Sequence, residues 1–119
     1  MKNSHIIVAG ICGFTAVALG AFGAHGLKST LTVEMFEIFR TGVLYHLVHS
    51  VMLLALSLSD KKLILPFWFI FSGIILFSFS LYIYSLTTIK MFALITPIGG
   101  ISLLIGWSVL IYKAIRKSY

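Results

Sequence analysis

Four uncharged apolar runs, each long enough to cross a bilayer as a helix, leave this chain little freedom in what it can fold into. A spanning helix needs about 20 mostly apolar residues, each rising about 1.5 Å. Residues 6–24, 41–58, 63–86 and 91–112 supply such runs. They are bounded by Arg40, by Asp60, Lys61 and Lys62, by Lys90 and by Lys113. Of the 119 residues, 60% are hydrophobic and 10% are charged, against about 45–50% and about 25% in water-soluble domains. So few charges cannot cover that much apolar surface in water, so lipid is the solvent. The expected fold is an all-α membrane protein, a four-transmembrane-helix bundle forming one integral domain over residues 1–119. No stretch between the runs is long enough for a second folded unit.

The formal charge of +6 does not point to nucleic acid, because the basic residues are divided among loops and ends rather than gathered on one face. They read instead as the flanks of membrane spans in contact with the lipid bilayer. With four spans, the N-terminus, the second connection and the C-terminus share one side. That side holds Lys2, Lys61, Lys62, Lys113, Arg116 and Lys117 against the single acid Asp60. The other side holds Lys28, Arg40 and Lys90 against Glu34 and Glu37. The positive-inside rule then places both termini in the cytoplasm and the chain in the plasma or inner membrane. A signal peptide is the alternative for residues 6–24, but the run exceeds the usual apolar core of about 7–15 residues. Cys12 is the only cysteine, so no intrachain disulfide forms.

Between the first two spans, Leu31, Met35, Ile38 and Phe39 recur at helical spacing while Glu34 and Glu37 point elsewhere. Thr30 or Thr32 stands where a cap would. This pattern predicts a short amphipathic surface helix. Within the first span, Cys12, Ala16, Gly20 and Ala24 fall four residues apart, with Gly13 and Gly23 beside them. Small residues at that spacing form a face against which another helix can pack closely. Gly99, Gly100 and Gly106 are expected to do the same in the fourth span. The partner is read as another span of the same chain; a homo-oligomer or a larger membrane complex is the other candidate. Pro97 deprives the Ala93 carbonyl of its amide partner if the fourth helix starts near residue 91, and sits in the first turn at little cost if it starts later.

The segments Gly20-Ala21-Phe22-Gly23-Ala24-His25-Gly26-Leu27, Tyr45 with His49, Phe77-Ser78-Phe79-Ser80-Leu81-Tyr82, Thr96-Pro97-Ile98-Gly99-Gly100 and Gly106-Trp107 follow one another along the chain. Together they resemble the YgdD/YwdK-like family of small bacterial inner-membrane proteins, which has a small eukaryotic transmembrane relative. The resemblance covers almost the whole chain. It implies the same four-span topology and, the family being one of unknown function, no reaction. Phe79 departs from the family pattern, which more often reads Phe-Ser-Gly-Ser-Leu-Tyr; a ring there narrows whatever space the serines line.

Depth sorts the remaining polar residues. In this topology Tyr45, His46 and His49 lie about 6–12 Å inside the outer surface at the helical rise. Ser78, Ser80 and Tyr82 in the third span, and Thr96 in the fourth, lie at similar depth, with His25 at the outer end of the first. Intramembrane ionisable residues tend to face the bundle interior and to mark functional positions. His46 and His49, three apart, are expected to share one face. These eight residues are the candidate cluster, either as a hydrogen-bonded network that fixes helix register or as a pocket for a small solute or lipid headgroup. The alternative is metal or haem ligation by His25, His46 and His49, with a redox or transport role. His5 belongs to no such cluster. No Gly-x-Ser-x-Gly or His-Glu-x-x-His motif supports catalysis. The expected protein is a structural, accessory or ligand-binding one without an enzymatic reaction.

Overall fold

A computed structural model describes residues 2–119. Four long helices carry almost all of it: α1 (Lys2–Leu27), α2 (Val33–Leu58), α3 (Ile64–Thr87) and α4 (Lys90–Arg116). The amphipathic segment expected after the first span is helical, and it runs unbroken into α2. No glycine or proline interrupts residues 33–41, so the helix has no reason to stop at Arg40. Its start is capped by Thr32, whose hydroxyl accepts the Met35 amide at 3.2 Å, and Glu34 lies in the first turn beside the positive end of the helix dipole. Pro66 sits in the first turn of α3, where its missing amide costs no hydrogen bond. Pro97 has no such position. Because α4 begins at Lys90, the proline lies well inside the helix. Lys113 and Arg116 occupy the last turn of α4, where cations suit the dipole.

The helices follow one another in space as they do in sequence: α1 packs on α2, α2 on α3 and α3 on α4. Among the described residues no Cα of α4 comes within 8 Å of α1 or α2. The inner pair α2 and α3 therefore bury 44% and 39% of their most apolar stretches, while the outer pair α1 and α4 bury 17% each. The apolar core joins Ala9 and Cys12 of α1, Met52 and Leu53 of α2, Phe67, Ile70 and Ile74 of α3, and Leu103 of α4. Lys2 approaches Asp60 at 3.8 Å, and the Lys61 ammonium stands 4.6 Å from the centre of the Tyr119 ring. These contacts put both ends of the chain and the α2–α3 connection at one end of the molecule. His5 is also there, buried against the rings of Phe67 at 4.5 Å and Trp68 at 5.6 Å. It is thus a packed residue, although it belongs to no polar cluster.

Small residues decide how closely the helices approach. A Cβ on Gly20 would stand 2.9 Å from Val43 Cγ1, and one on Gly42 would stand 2.8 Å from the Tyr82 ring. A Cβ on Gly99 would run into the Phe77 amide nitrogen and the Leu76 carbonyl carbon. Gly23 lies against Phe39, and Ala16 is fully buried. Gly100 has only ordinary contact with the Phe77 ring, at 3.8 Å. Gly13 departs from expectation, since nothing lies within 4 Å of where its Cβ would be. One residue turns a helix by about 100°, which carries Gly13 off the Cys12–Ala16–Gly20 stripe.

Two stretches widen into π-helical turns, Leu19–Gly23 in α1 and Ile74–Phe79 in α3. The second lies where α3 faces both α2 and α4, and it carries Phe77, Ser78 and Phe79 into the region of the polar residues. Such local widening inside a helix is often found at functional positions.

Candidate functional site

The eight candidate residues are drawn from all four helices, but they do not form one cluster. Two histidines three positions apart differ by about 60° around the helix axis. On the central helix α2, which has neighbours on both sides, that difference sends them to different partners.

His46 is fully buried between α1 and α3. Its Nδ1 lies 2.9 Å from the Tyr82 hydroxyl and its Nε2 lies 3.2 Å from Thr15 Oγ1. Thr15 has carbonyl acceptors at 2.9 Å (Ile11) and 3.0 Å (Cys12), and carbonyls only accept. With the Thr15 proton on one of them, Thr15 accepts from His46 Nε2–H and His46 Nδ1 accepts from Tyr82 O–H; in the other tautomer Thr15 donates to Nε2 and Nδ1–H donates to Tyr82. In either tautomer the chain of bonds ties α3, α2 and α1 together. Gly42, one turn before His46, makes the space that the Tyr82 ring fills.

His49 turns the other way, towards α4. The Trp107 indole N–H donates to His49 Nε2 at 3.1 Å, and His49 Nδ1 lies 2.8 Å from the Tyr45 carbonyl. Both contacts require the same tautomer, with the proton on Nδ1. The Trp107 bond bridges two helices whose backbones stay apart. The space they leave is a groove of about 420 Å³ on the side of the bundle, lined by Tyr45, His49, Phe77, Pro97, Gly100 and Trp107 among others. The Tyr45 and His49 rings stack nearly parallel, 10° apart in plane, and Tyr45 also packs on Phe77 at 4.5 Å. Tyr45 is 39% exposed, so its ring reaches from the bundle towards lipid.

A third link joins α3 and α4. Ser80 and Thr96 hydroxyls are 2.7 Å apart, and each also reaches a carbonyl of its own helix, Phe77 and Phe92 respectively. Ser78 is fully buried next to these links, and its hydroxyl has no hydrogen-bond partner among the described residues. His25 joins none of them. It is exposed at the far end of α1, in a separate hollow with Lys28 and Arg40.

The three histidines considered for metal or haem therefore do not converge. His25 stands apart, and both ring nitrogens of His46 and of His49 are engaged in the bonds above. Among the described residues no group of three or more His, Cys, Asp or Glu is placed to hold a metal ion. Thr15 is not among the candidates drawn from the sequence, and Trp107 appears there only within the Gly106-Trp107 segment, outside the polar cluster. Thr15 carried a signal, being the one hydroxyl residue within residues 6–24. Trp107 carried less, because a second span starting at Thr41 puts it well below His49; with α2 starting at Val33 and α4 at Lys90, the two residues lie about equally far along their helices.

Trp107→Phe keeps the ring and removes the N–H, so it tests the bridge alone. Interhelical hydrogen bonds in membrane proteins average about 0.6 kcal/mol and reach about 1.7. The substitution is expected to lower stability within that range, measured by titration with denaturing detergent, and to leave helix content unchanged.

Known proteins are similar to this chain over most of its length. The family described as "Protein of unknown function (DUF423)" matches residues 19–100. The UPF0382 membrane protein YwdK of Bacillus subtilis (strain 168) is 39% identical over 117 residues, covering 93% of this chain and 95% of that protein. The UPF0382 inner membrane protein YgdD of Escherichia coli (strain K12) is also 39% identical over 117 residues, covering 93% of this chain and 88% of that protein. A UPF0382 membrane protein of Haemophilus influenzae is 40% identical over 123 residues, covering 98% of each chain. No solved structure matches the chain.

Proposed function

Because the chain belongs to the UPF0382 (DUF423) family of membrane proteins, we propose that it is a non-catalytic accessory protein of the cytoplasmic membrane that holds a small membrane amphiphile in the groove between α2 and α4. The observation that carries this reading is the groove itself. About 420 Å³ of space opens between two helices, walled by Phe77, Pro97 and Trp107, with the polar edge of His49 and Tyr45 at one side. Sites for small ligands are largely apolar with a few placed polar groups, and they favour the spaces between helices of bundles. The His46, Ser80 and Thr96 links serve a different purpose: they hold the helices in register and leave that space unfilled.

Gly100→Leu tests the proposal without disturbing the seam, since a Cβ at Gly100 meets only ordinary contact and the longer side chain projects into the groove. Organic extracts of the purified protein are expected to contain an amphiphile near one per chain in the parent and to lack it in Gly100→Leu. The same extract from both proteins would remove the groove from consideration.

Both termini are assigned to the cytoplasm, on the charge asymmetry of the two ends. On intact cells a membrane-impermeant maleimide is expected to label Thr30→Cys and to spare Lys61→Cys. Buried Cys12 adds no background. Labelling of Lys61→Cys alone would invert the topology.

A further inference from the structure

A second hollow lies where α1 ends and α2 begins, well away from the groove between α2 and α4. Its volume is about 370 Å³, and His25, Lys28, Phe36 and Arg40 line its walls. Every ionisable group that lines it is basic. Glu37 lies outside the hollow, 3.6 Å from one Arg40 nitrogen; both side chains are mostly exposed, at 65% and 63%. Exposed pairs of this kind are weak, so Arg40 remains available to a better anion. The Arg40 guanidinium also stands over the ring of Phe36, another residue of the wall, at 6.0 Å.

Directly below, along the seam of α1 and α2, runs an apolar groove of about 270 Å³ walled by Val43, Leu44 and Leu47. Gly20, Ala24 and Arg40 line both spaces, so the two are one continuous site with a cationic head and an apolar tail. The small residues at 20 and 24 keep the passage between them open.

We infer that this site binds an anionic phospholipid, with its phosphate held by Lys28, Arg40 and His25 and an acyl chain lying along Val43, Leu44 and Leu47. A guanidinium and an ammonium suit phosphate oxygens, and the apolar groove points into the hydrocarbon, where a free phosphate would leave it empty. The site is independent of the groove between α2 and α4, so failure of either assignment leaves the other standing.

The test is native mass spectrometry of the full chain released from detergent micelles, with added phosphatidylglycerol, phosphatidylcholine or inorganic phosphate. Each basic residue near a membrane surface contributes about fivefold to anionic lipid binding. The protein is expected to retain phosphatidylglycerol over phosphatidylcholine. Lys28→Gln with Arg40→Gln should cut that retention about twenty-fivefold. Both residues are exposed, so the fold should not depend on them. Ala24→Leu, which blocks the passage, should also weaken retention. Lys113→Gln with Arg116→Gln, an equal charge change at the opposite end, should leave it unchanged. Equal retention of the two lipids, or equal loss in the two double variants, would overturn the inference. So would inorganic phosphate displacing phosphatidylglycerol while Ala24→Leu has no effect, since the ligand would then be free phosphate.

Discussion

Gly99→Ala is expected to cost about 3 kcal/mol, near the upper end for overpacking of a close-packed site, while Gly100→Ala next to it changes stability by less than about 0.5 kcal/mol. The contrast comes from what each methyl would meet. At Gly99 it would press on the backbone of α3 at Leu76 and Phe77, and at Gly100 it would touch only the Phe77 ring at 3.8 Å. A side chain can rotate away; a backbone inside a helix cannot. The seam between α3 and α4 would open there, and the Ser80–Thr96 link depends on that seam. Detergent-denaturation midpoints of the two variants check this. Equal midpoints would mean that α4 packs elsewhere.

The second large effect is expected at His46. His46→Ala removes the bond to Thr15 and leaves the buried Tyr82 hydroxyl without its partner. Truncating a buried ring and orphaning a buried hydroxyl together should cost about 3 kcal/mol or more. Tyr82→Phe alone should cost about 1 kcal/mol. If the two side chains act through their bond, His46→Ala should cost less in the Tyr82→Phe background than in the parent. His25→Ala, at an exposed position, should leave stability unchanged. A double-mutant cycle by detergent titration measures all four; strict additivity would argue against the bond.

The sequence made the spans and their ends legible because lipid demands long uncharged runs. It said little about which helix neighbours which. Every span is apolar on nearly all sides, so periodicity does not show that α2 and α3 are central and α1 and α4 peripheral. That arrangement decides the site. His46 and His49 look like a pair at spacing three, and they separate only because α2 has partners on both sides. Trp107 could not be placed for the same reason, since its contact depends on an opening between α2 and α4. The amphipathic segment read as a separate helix because Glu37 and Arg40 interrupt the apolar run; charges at that level remain in the headgroup region, and the helix continues through them.

The polar residues of the bundle thus divide between closed interhelical links and the open groove beside Trp107. The direct measurement is quenching of Trp107 fluorescence in Trp68→Phe protein, in detergent micelles titrated with dibromostearate. Saturable quenching that Gly100→Leu abolishes is expected. Quenching that rises without saturation and is the same in both proteins would show that no groove is there to fill.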